Sequence, residues 1–208
     1  YVFGKNDILC RERSGKDLMK IRKNDIFLYG RKMLFQMLEI LYPRRCAVCD
    51  EIEVTGKGIC PLCKDKVHVA GEPACKKCGK PLVDERKEFC TDCGKKHHVY
   101  TQGKAVFVYE GGIRNSMYRF KYGNKREYAE FYANAAVEKY GVWLNKIKAE
   151  VLIPIPMYSR KKRLRGYNQA EVFARELGRK AGILVDEHLV RRVRNTIPQK
   201  ELNESQRH

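Results

Sequence analysis

Eight of the nine cysteines in this chain form four CxxC pairs, and these pairs have the clearest chemistry in the sequence. A CxxC turn brings two sulfurs to one side of a metal ion, and a second pair completes the tetrahedral Cys₄ shell that Zn²⁺ prefers. The spacing therefore predicts two structural zinc ions. Disulfides, an iron–sulfur cluster and free thiols are the alternatives. The predicted ligands are Cys46, Cys49, Cys60, Cys63, Cys75, Cys78, Cys90 and Cys93.

The flanking residues indicate which pairs share an ion. The gaps between successive pairs are 10, 11 and 11 residues, a spacing that fits either sequential or crossed pairing. CKKCGK at 75–80 and CTDCGK at 90–95 look like copies, and Gly79 and Gly94 suit a left-handed backbone after each knuckle. We therefore expect the last two pairs to share one ion and the first two pairs to share the other. Such closed sites leave no position open for catalysis. Cys10 is left as a free thiol.

The charge of the chain indicates an anionic partner. Lys and Arg number 43 against 25 Asp and Glu, a formal net charge of +18. Eight thiolates and two Zn²⁺ ions bring this to about +14. Such a balance favours a polyanion or a phosphorylated ligand. The longest uncharged stretch, 151–159, is about half of the roughly 18 residues that a membrane span needs. With no cleavable signal pattern, the CxxC pairs predict a reducing, cytoplasmic location.

Composition and periodicity divide the chain into four parts. Residues 1–30 are predicted to be a basic, poorly ordered extension. A stripe of Leu34, Met37, Leu38 and Leu41 predicts a short helix within 31–43, which Pro43 ends. Residues 44–100 hold the predicted double zinc ribbon and have few large aliphatic side chains, so metal must supply folding energy there. Residues 101–208 have an α/β pattern.

The α/β part is predicted to be a parallel sheet with flanking helices. We expect a strand at 105–109, helices near 113–120 and 125–143, and a buried strand at 151–156 that runs out into a loop. A basic loop at 157–167 follows. The next helix begins after Asn168, a cap with Glu171 as its capping-box partner, and ends at Gly182. Short strands are expected at 183–185 and 188–193.

The basic loop is the predicted anion site. It has five cations within 160–166, between the carboxyl end of a predicted strand and the start of a helix. Ligands of open α/β sheets bind at that edge, and a helix N-terminus favours anions. A solvated basic loop, or a nucleic-acid patch without a pocket, is the alternative.

A second basic segment alternates with aromatic rings. Tyr118, Phe120 and Tyr122 interleave with cations, so rings could stack on bases while cations follow phosphates. Burial of Phe120 and at least one of the two tyrosines in the core is the alternative. The predicted nucleic-acid-binding residues are Arg119, Lys121, Tyr122, Lys125 and Lys162.

These stretches together resemble the ComF family of competence proteins, over about 33–208. The matching motifs are LYPRRC at 41–46, CPLC at 60–63, the ribbon at 75–93, FVYEG at 107–111 with Ile113 and Arg114, and FKY at 120–122. The most specific is IPIP at 153–156, followed by Arg160 and by RGYNQA at 165–170. Thr196, Gln199, Leu202 and Arg207 fit the segment that comes next.

The resemblance implies a double zinc ribbon followed by a type I phosphoribosyltransferase-like fold. It also implies a role in natural transformation, binding single-stranded DNA beside a competence helicase and the DNA-uptake channel, with phosphoribosyl pyrophosphate as a ligand. In such folds the loop after the first core strand holds pyrophosphate. That role falls on Arg160, Lys161, Arg163, Arg165, Gly166, Asn168 and Gln169.

The sequence departs from the phosphoribosyltransferase pattern at one point. The family's acidic pair is followed by a Thr/Ser-Gly loop, whereas Asp186 and Glu187 precede His-Leu-Val. We therefore expect a C-terminally truncated fold whose phosphate motif lies past residue 208. The fragment is then expected to be inactive, and no residue is assigned as catalytic. The alternatives are a phosphoribosyltransferase of nucleotide metabolism with a ribbon appendage, and a zinc-ribbon adaptor for nucleic acid or protein.

Overall fold

The computed structural model describes residues 37, 41–197 and 203. The chain divides into two compact units, Tyr1–Pro43 and Arg44–His208. In the first unit, Met37 and Leu41 are helical, in agreement with the apolar stripe. The remainder of that predicted helix, the extension at 1–30, Cys10, Gln199, Leu202 and Arg207 lie outside the described residues.

The cysteine region of the second unit has little regular structure. A 3-10 helix spans Pro61–Lys66, and α1 spans Thr91–Lys95. Each begins directly after the first cysteine of a CxxC pair. Loops and single antiparallel bridges connect the rest. Metal ligation therefore has to hold most of this region together, as the sequence predicts.

Two longer helices follow and build the core. They are α2, Gly111–Tyr122, and α3, Tyr128–Ile147, close to the predicted positions. On α2, Ile113, Ser116 and Phe120 are buried at helical spacing and face the apolar side of α3. Lys148 ends α3 in a left-handed conformation at φ 49°. The core is rich in aromatic rings because α3 contributes Tyr128, Phe131 and Tyr132.

A strand–helix–helix–strand unit completes the described fold. It consists of β1 (Val151–Leu152), α4 (Ser159–Arg165), α5 (Gln169–Ala181) and β2 (Leu184–Val185). The strands are parallel, with Val151 opposite Leu184. α5 packs against α3 and against β2. A Cβ at Gly178 would lie 2.5 Å from Val185 Cγ2, so only glycine permits this approach of α5 to the sheet.

Two predicted strands differ from the structure. The segment at 105–109 makes only one antiparallel bridge, between Phe107 and Val69. The predicted buried strand at 151–156 is two residues long, and Ile155 is 76% exposed. Pro154 and Pro156 lack the N–H that would extend the ladder. Among the described residues, only β2 pairs with β1.

Two further segments also differ. The predicted loop at 157–167 contains α4, because lysine, arginine and leucine are good helix formers and Gly166 ends the helix at φ 83°. The predicted strand at 188–193 has no strand structure. The described fold is therefore helical with a two-stranded parallel sheet and an N-terminal zinc ribbon. Within the described ranges, no helix has both the length and the apolarity to cross a bilayer.

Candidate metal centres and anion cleft

The eight paired cysteines form two separate clusters, as sequential pairing predicts. In each cluster all four sulfurs lie within 4.8 Å of one another. Cys49 Sγ is 3.8 Å from Cys60 Sγ, and Cys78 Sγ is 3.7 Å from Cys90 Sγ. A tetrahedron with 2.3 Å Zn–S bonds has edges of about 3.8 Å. Both clusters therefore fit a structural zinc ion, and no described cysteine forms a disulfide.

The first knuckles of the two ribbons are copies of each other. The antiparallel bridge between Arg45 and Ile52 matches the bridge between Ala74 and Pro81. The residue four places after the first cysteine is left-handed in both, Asp50 at φ 69° and Gly79 at φ 75°. The expectation for Gly94 is wrong, because that residue lies inside α1. The second CxxC pair of each ribbon begins a short helix instead of a left-handed turn.

Backbone amides stabilise one thiolate in each cluster. Burial raises the pKa of Cys46, but hydrogen bonds from the amides of Cys49, Cys60 and Val48 outweigh it and lower the pKa to about 7. Cys75 has the equivalent position, and the same combination lowers its pKa to about 6. These amides favour the thiolate form of the sulfur, which is the form that binds a metal ion.

The last cysteine of each cluster has the opposite shift. Burial, together with the neighbouring sulfurs, raises the pKa of Cys63 and of Cys93 to about 12. A metal ion must displace these protons to complete the shell, so zinc binding releases protons and weakens in acid.

The first ribbon is built into the core of the helical part. Ala47 and Val48, the two residues inside its first CxxC, are 1% and 5% exposed. Ala47 belongs to the same buried cluster as Ile113 and Phe120. The guanidinium of Arg119 donates to Val48 O at 2.8 Å. The knuckle thus contributes side chains and a backbone carbonyl to the junction with α2.

Asp50 makes a second connection, directly after the ligand Cys49. Its carboxylate accepts from the Tyr128 hydroxyl at 2.6 Å and from Lys125 Nζ at 2.7 Å. Burial raises the pKa of Asp50, but Lys125 and Tyr128 outweigh this and lower it overall. Arg119 and Lys125, both predicted to bind nucleic acid, therefore also serve the junction between ribbon and helices.

The second ribbon contacts the loop that follows it. Gly103 N donates to Lys77 O at 2.6 Å, and Gln102 Nε2 donates to Lys76 O at 3.2 Å. A Cβ on Gly79 would lie 2.8 Å from Ala105 N, so this approach also needs a glycine.

The predicted anion-binding residues are divided between different environments. Arg165 Nη1 donates to Gln169 Oε1 at 2.7 Å, and its guanidinium carbon lies 4.7 Å from the centre of the Tyr122 ring. Asn168 is buried, accepts from Ala170 N at 3.1 Å and donates to Ile155 O at 3.0 Å. Asn168 is therefore the helix cap that the sequence predicts.

Other members of the set lie around a cleft of about 500 Å³. Arg163 and Gly166 line it, together with Lys162 from the predicted nucleic-acid set. Lys161 Nζ donates to Thr196 O at 2.9 Å, and the exposed Arg160 is not among the lining residues.

The cleft lies where both parallel strands end. Pro156 and Met157, after β1, form one part of its wall, and residues 190–192, after β2, form another. Arg191 and Arg192 line the cleft, although the sequence pattern predicts a strand at 188–193 and assigns neither to a site. The sequence feature that indicates them is a basic pair a few residues after a short strand.

Two carboxylates in the cleft already have cationic partners. Glu171 Oε2 is 2.5 Å from Lys162 Nζ, and Glu187 accepts from Arg175. The hydrogen bond from Arg175 lowers the pKa of Glu187. Arg163 and Arg191 form no ion pair with any described residue, so the cleft keeps a positive charge.

The aromatic residues of α2 divide between the core and the surface. Phe120 is 2% exposed and belongs to the core, as the alternative interpretation predicts. Tyr118 and Tyr122 are 65% and 55% exposed, with ring centres 5.1 Å apart. Lys121, which lies between these tyrosines in the sequence, is half-buried.

Comparison with known proteins agrees with the metal centres. Residues 37–94 match the family model described as Double zinc ribbon domain. The match covers both Cys₄ clusters up to the residue after Cys93, so the chain contains a double zinc ribbon with two structural metal sites. No curated protein and no solved structure matches the chain.

Proposed function

We propose that this chain is a ComF-type protein of DNA uptake: a double zinc ribbon joined to a phosphoribosyltransferase-like part. In this proposal it binds single-stranded DNA and, separately, phosphoribosyl pyrophosphate or a related phosphate. It acts in the cytoplasm beside a competence helicase. The RGYNQA and IPIP motifs and the overall charge of +18 support the assignment.

The main support is the cleft at the carboxyl ends of β1 and β2. Open parallel sheets bind their ligands at this edge. Arg163 and Arg191 have no carboxylate partner among the described residues, and a planar guanidinium can grip phosphate through two hydrogen bonds. Gly166, at φ 83°, lines the same cleft and adds no side chain to it. A pyrophosphate group fits this combination of shape and charge.

Calorimetric titration with phosphoribosyl pyrophosphate tests the cleft. Arg163→Ala and Arg191→Ala should each weaken binding by about 1.5–3 kcal/mol, the scale of a hydrogen bond to a charged group. Arg86→Ala is the matched control, since this exposed arginine lies in the second ribbon, outside the cleft. Unchanged affinity in both cleft variants would show that the ligand binds elsewhere.

A second titration, with single-stranded DNA, separates the proposed function from its alternatives. Anisotropy titration with a labelled single strand should give an affinity that falls by about one power of ten per tenfold salt for each phosphate neutralised. A chain that binds phosphoribosyl pyrophosphate but no single strand fits an enzyme of nucleotide metabolism. A chain that binds a single strand through the ribbons alone fits an adaptor.

A further inference from the structure

A second cavity, of about 310 Å³, lies between α2, α5 and the segment at 106–109. It does not overlap the anion cleft, because the two share no lining residue. Five of its ten lining residues are aromatic, four are aliphatic or methionine, and one has a side-chain amide. The residues that matter here are Phe107, Tyr109, Phe120, Tyr132, Phe173 and Gln169.

The wall chemistry fits a flat, mostly apolar ring with one hydrogen-bonding edge. The volume is at the lower end of the roughly 300–1,000 Å³ seen for ligand pockets, which suits a single ring system. Gln169 Oε1 accepts from Arg165, so its amide N–H groups remain to donate to a ligand. Nucleobases combine two aromatic faces with acceptor atoms on one edge.

A positive charge lies next to the amide of the cavity wall. Arg165 is one hydrogen bond from Gln169, and it pairs with no carboxylate among the described residues. Its guanidinium lies over the ring of Tyr122, and Tyr122 contacts Tyr118, which is also exposed. A cation and two exposed rings are thus connected, through Gln169, to the wall of an aromatic cavity. An aliphatic ligand would fit the wall but leave Arg165 and Gln169 unused.

We propose that one nucleotide of a bound single strand inserts its base into this cavity. The edge of the base accepts a hydrogen bond from Gln169, the phosphate of the same nucleotide pairs with Arg165, and a neighbouring base stacks on Tyr122. This inference rests on the proposed single-stranded DNA binding, and it assigns Arg165 and Gln169 to the strand.

The test compares two probes of equal length and charge by fluorescence anisotropy at fixed salt. One is a labelled oligo(dT), and the other is the same backbone with abasic sites in place of every base. Base stacking on aromatic residues contributes enough that the oligo(dT) should bind at least about fivefold more tightly. Equal affinities would overturn the cavity while leaving DNA binding intact. Binding of neither probe would overturn the proposed DNA function, and the cavity with it.

Variants then assign the preference to the cavity. Ala170→Leu fills it from the first turn of α5, and Ala181→Leu makes the same change at the other end of that helix, outside the cavity. Ala170→Leu should reduce the preference for oligo(dT) to the part that stacking on Tyr122 contributes and leave abasic binding unchanged, whereas Ala181→Leu should change neither. Gln169→Ala is the second cavity variant if Ala170→Leu unfolds. Full preference in a folded Ala170→Leu or Gln169→Ala chain would disprove the inference.

Discussion

The hydrogen bond from Tyr128 to Asp50 allows a sharp test of how the first ribbon is held. Tyr128 is 1% exposed, and its hydroxyl donates to Asp50 Oδ1 at 2.6 Å, one residue after the metal ligand Cys49. Tyr128→Phe removes only that hydroxyl. Asp50 retains Lys125 at 2.7 Å, so the substitution leaves no unpaired charge.

The expected loss follows from these contacts. A hydrogen bond to a charged group contributes about 1.5–3 kcal/mol. The Asp50 side chain is 29% exposed and keeps its lysine, so water can replace part of the lost bond. We therefore expect a loss of about 1–2 kcal/mol in the free energy of unfolding. For a unit of this size that lowers Tm by about 2–8 °C.

Thermal unfolding of the zinc-loaded protein at neutral pH, followed by circular dichroism, measures this change. Tyr118→Phe on α2 is the matched control, because its side chain is exposed and its hydroxyl bonds to no described residue. A double-mutant cycle with Asp50→Gly, which suits the left-handed backbone at φ 69°, isolates the pair. An equal Tm for Tyr128→Phe and the control, or a coupling energy near zero, would refute the proposed connection.

Three further predictions concern metal, pH and the helix cap. Elemental analysis should find two zinc ions per chain, and Cys75→Ser should retain one, since its cluster is separate. Arg175 lowers the pKa of Glu187, so the pair contributes fully to the stability of the fold at any pH above about 4.3, the ordinary glutamate pKa. This contribution is lost as the pH falls further, through the lowered pKa of Glu187. The Tm difference between wild type and Glu187→Gln should therefore shrink on acidification. Asn168→Ala should cost about 1–2 kcal/mol by denaturant unfolding, because the cap to Ala170 N is lost.

The metal ligands could be predicted from the sequence because their geometry is local. Two cysteines three residues apart must present their sulfurs together, and the copies at 75–80 and 90–95 indicate which pairs combine. The cap at Asn168 and the left-handed Gly182 are local in the same sense. Gly94 shows the limit of this argument, since a short helix replaced the expected turn.

Contacts between distant residues could not be predicted in this way. Asp50 and Tyr128 are 78 positions apart, and Arg119 and Val48 are 71 apart. The sequence around a basic residue on a helix face looks the same whether that residue binds a phosphate or a backbone carbonyl. The position of Arg191 in the cleft could not be predicted for a related reason. Arg191 lies there because β2 pairs in parallel with β1, which is a contact between distant residues.

The first knuckles of the two ribbons share a bridge and a left-handed residue, and the residues inside their CxxC explain why the ribbons differ in role. The first has alanine and valine there, and the second has Lys76 and Lys77. Ala47 and Val48 are buried against the helical core, whereas the Lys76 side chain is 63% exposed and pairs with Glu88. A knuckle tip is rigid once metal is bound, so apolar residues at its tip must pack against a partner and charged ones must face water. The first zinc therefore supports the core of the helical part, and the second supports a ribbon whose tip remains available at the surface.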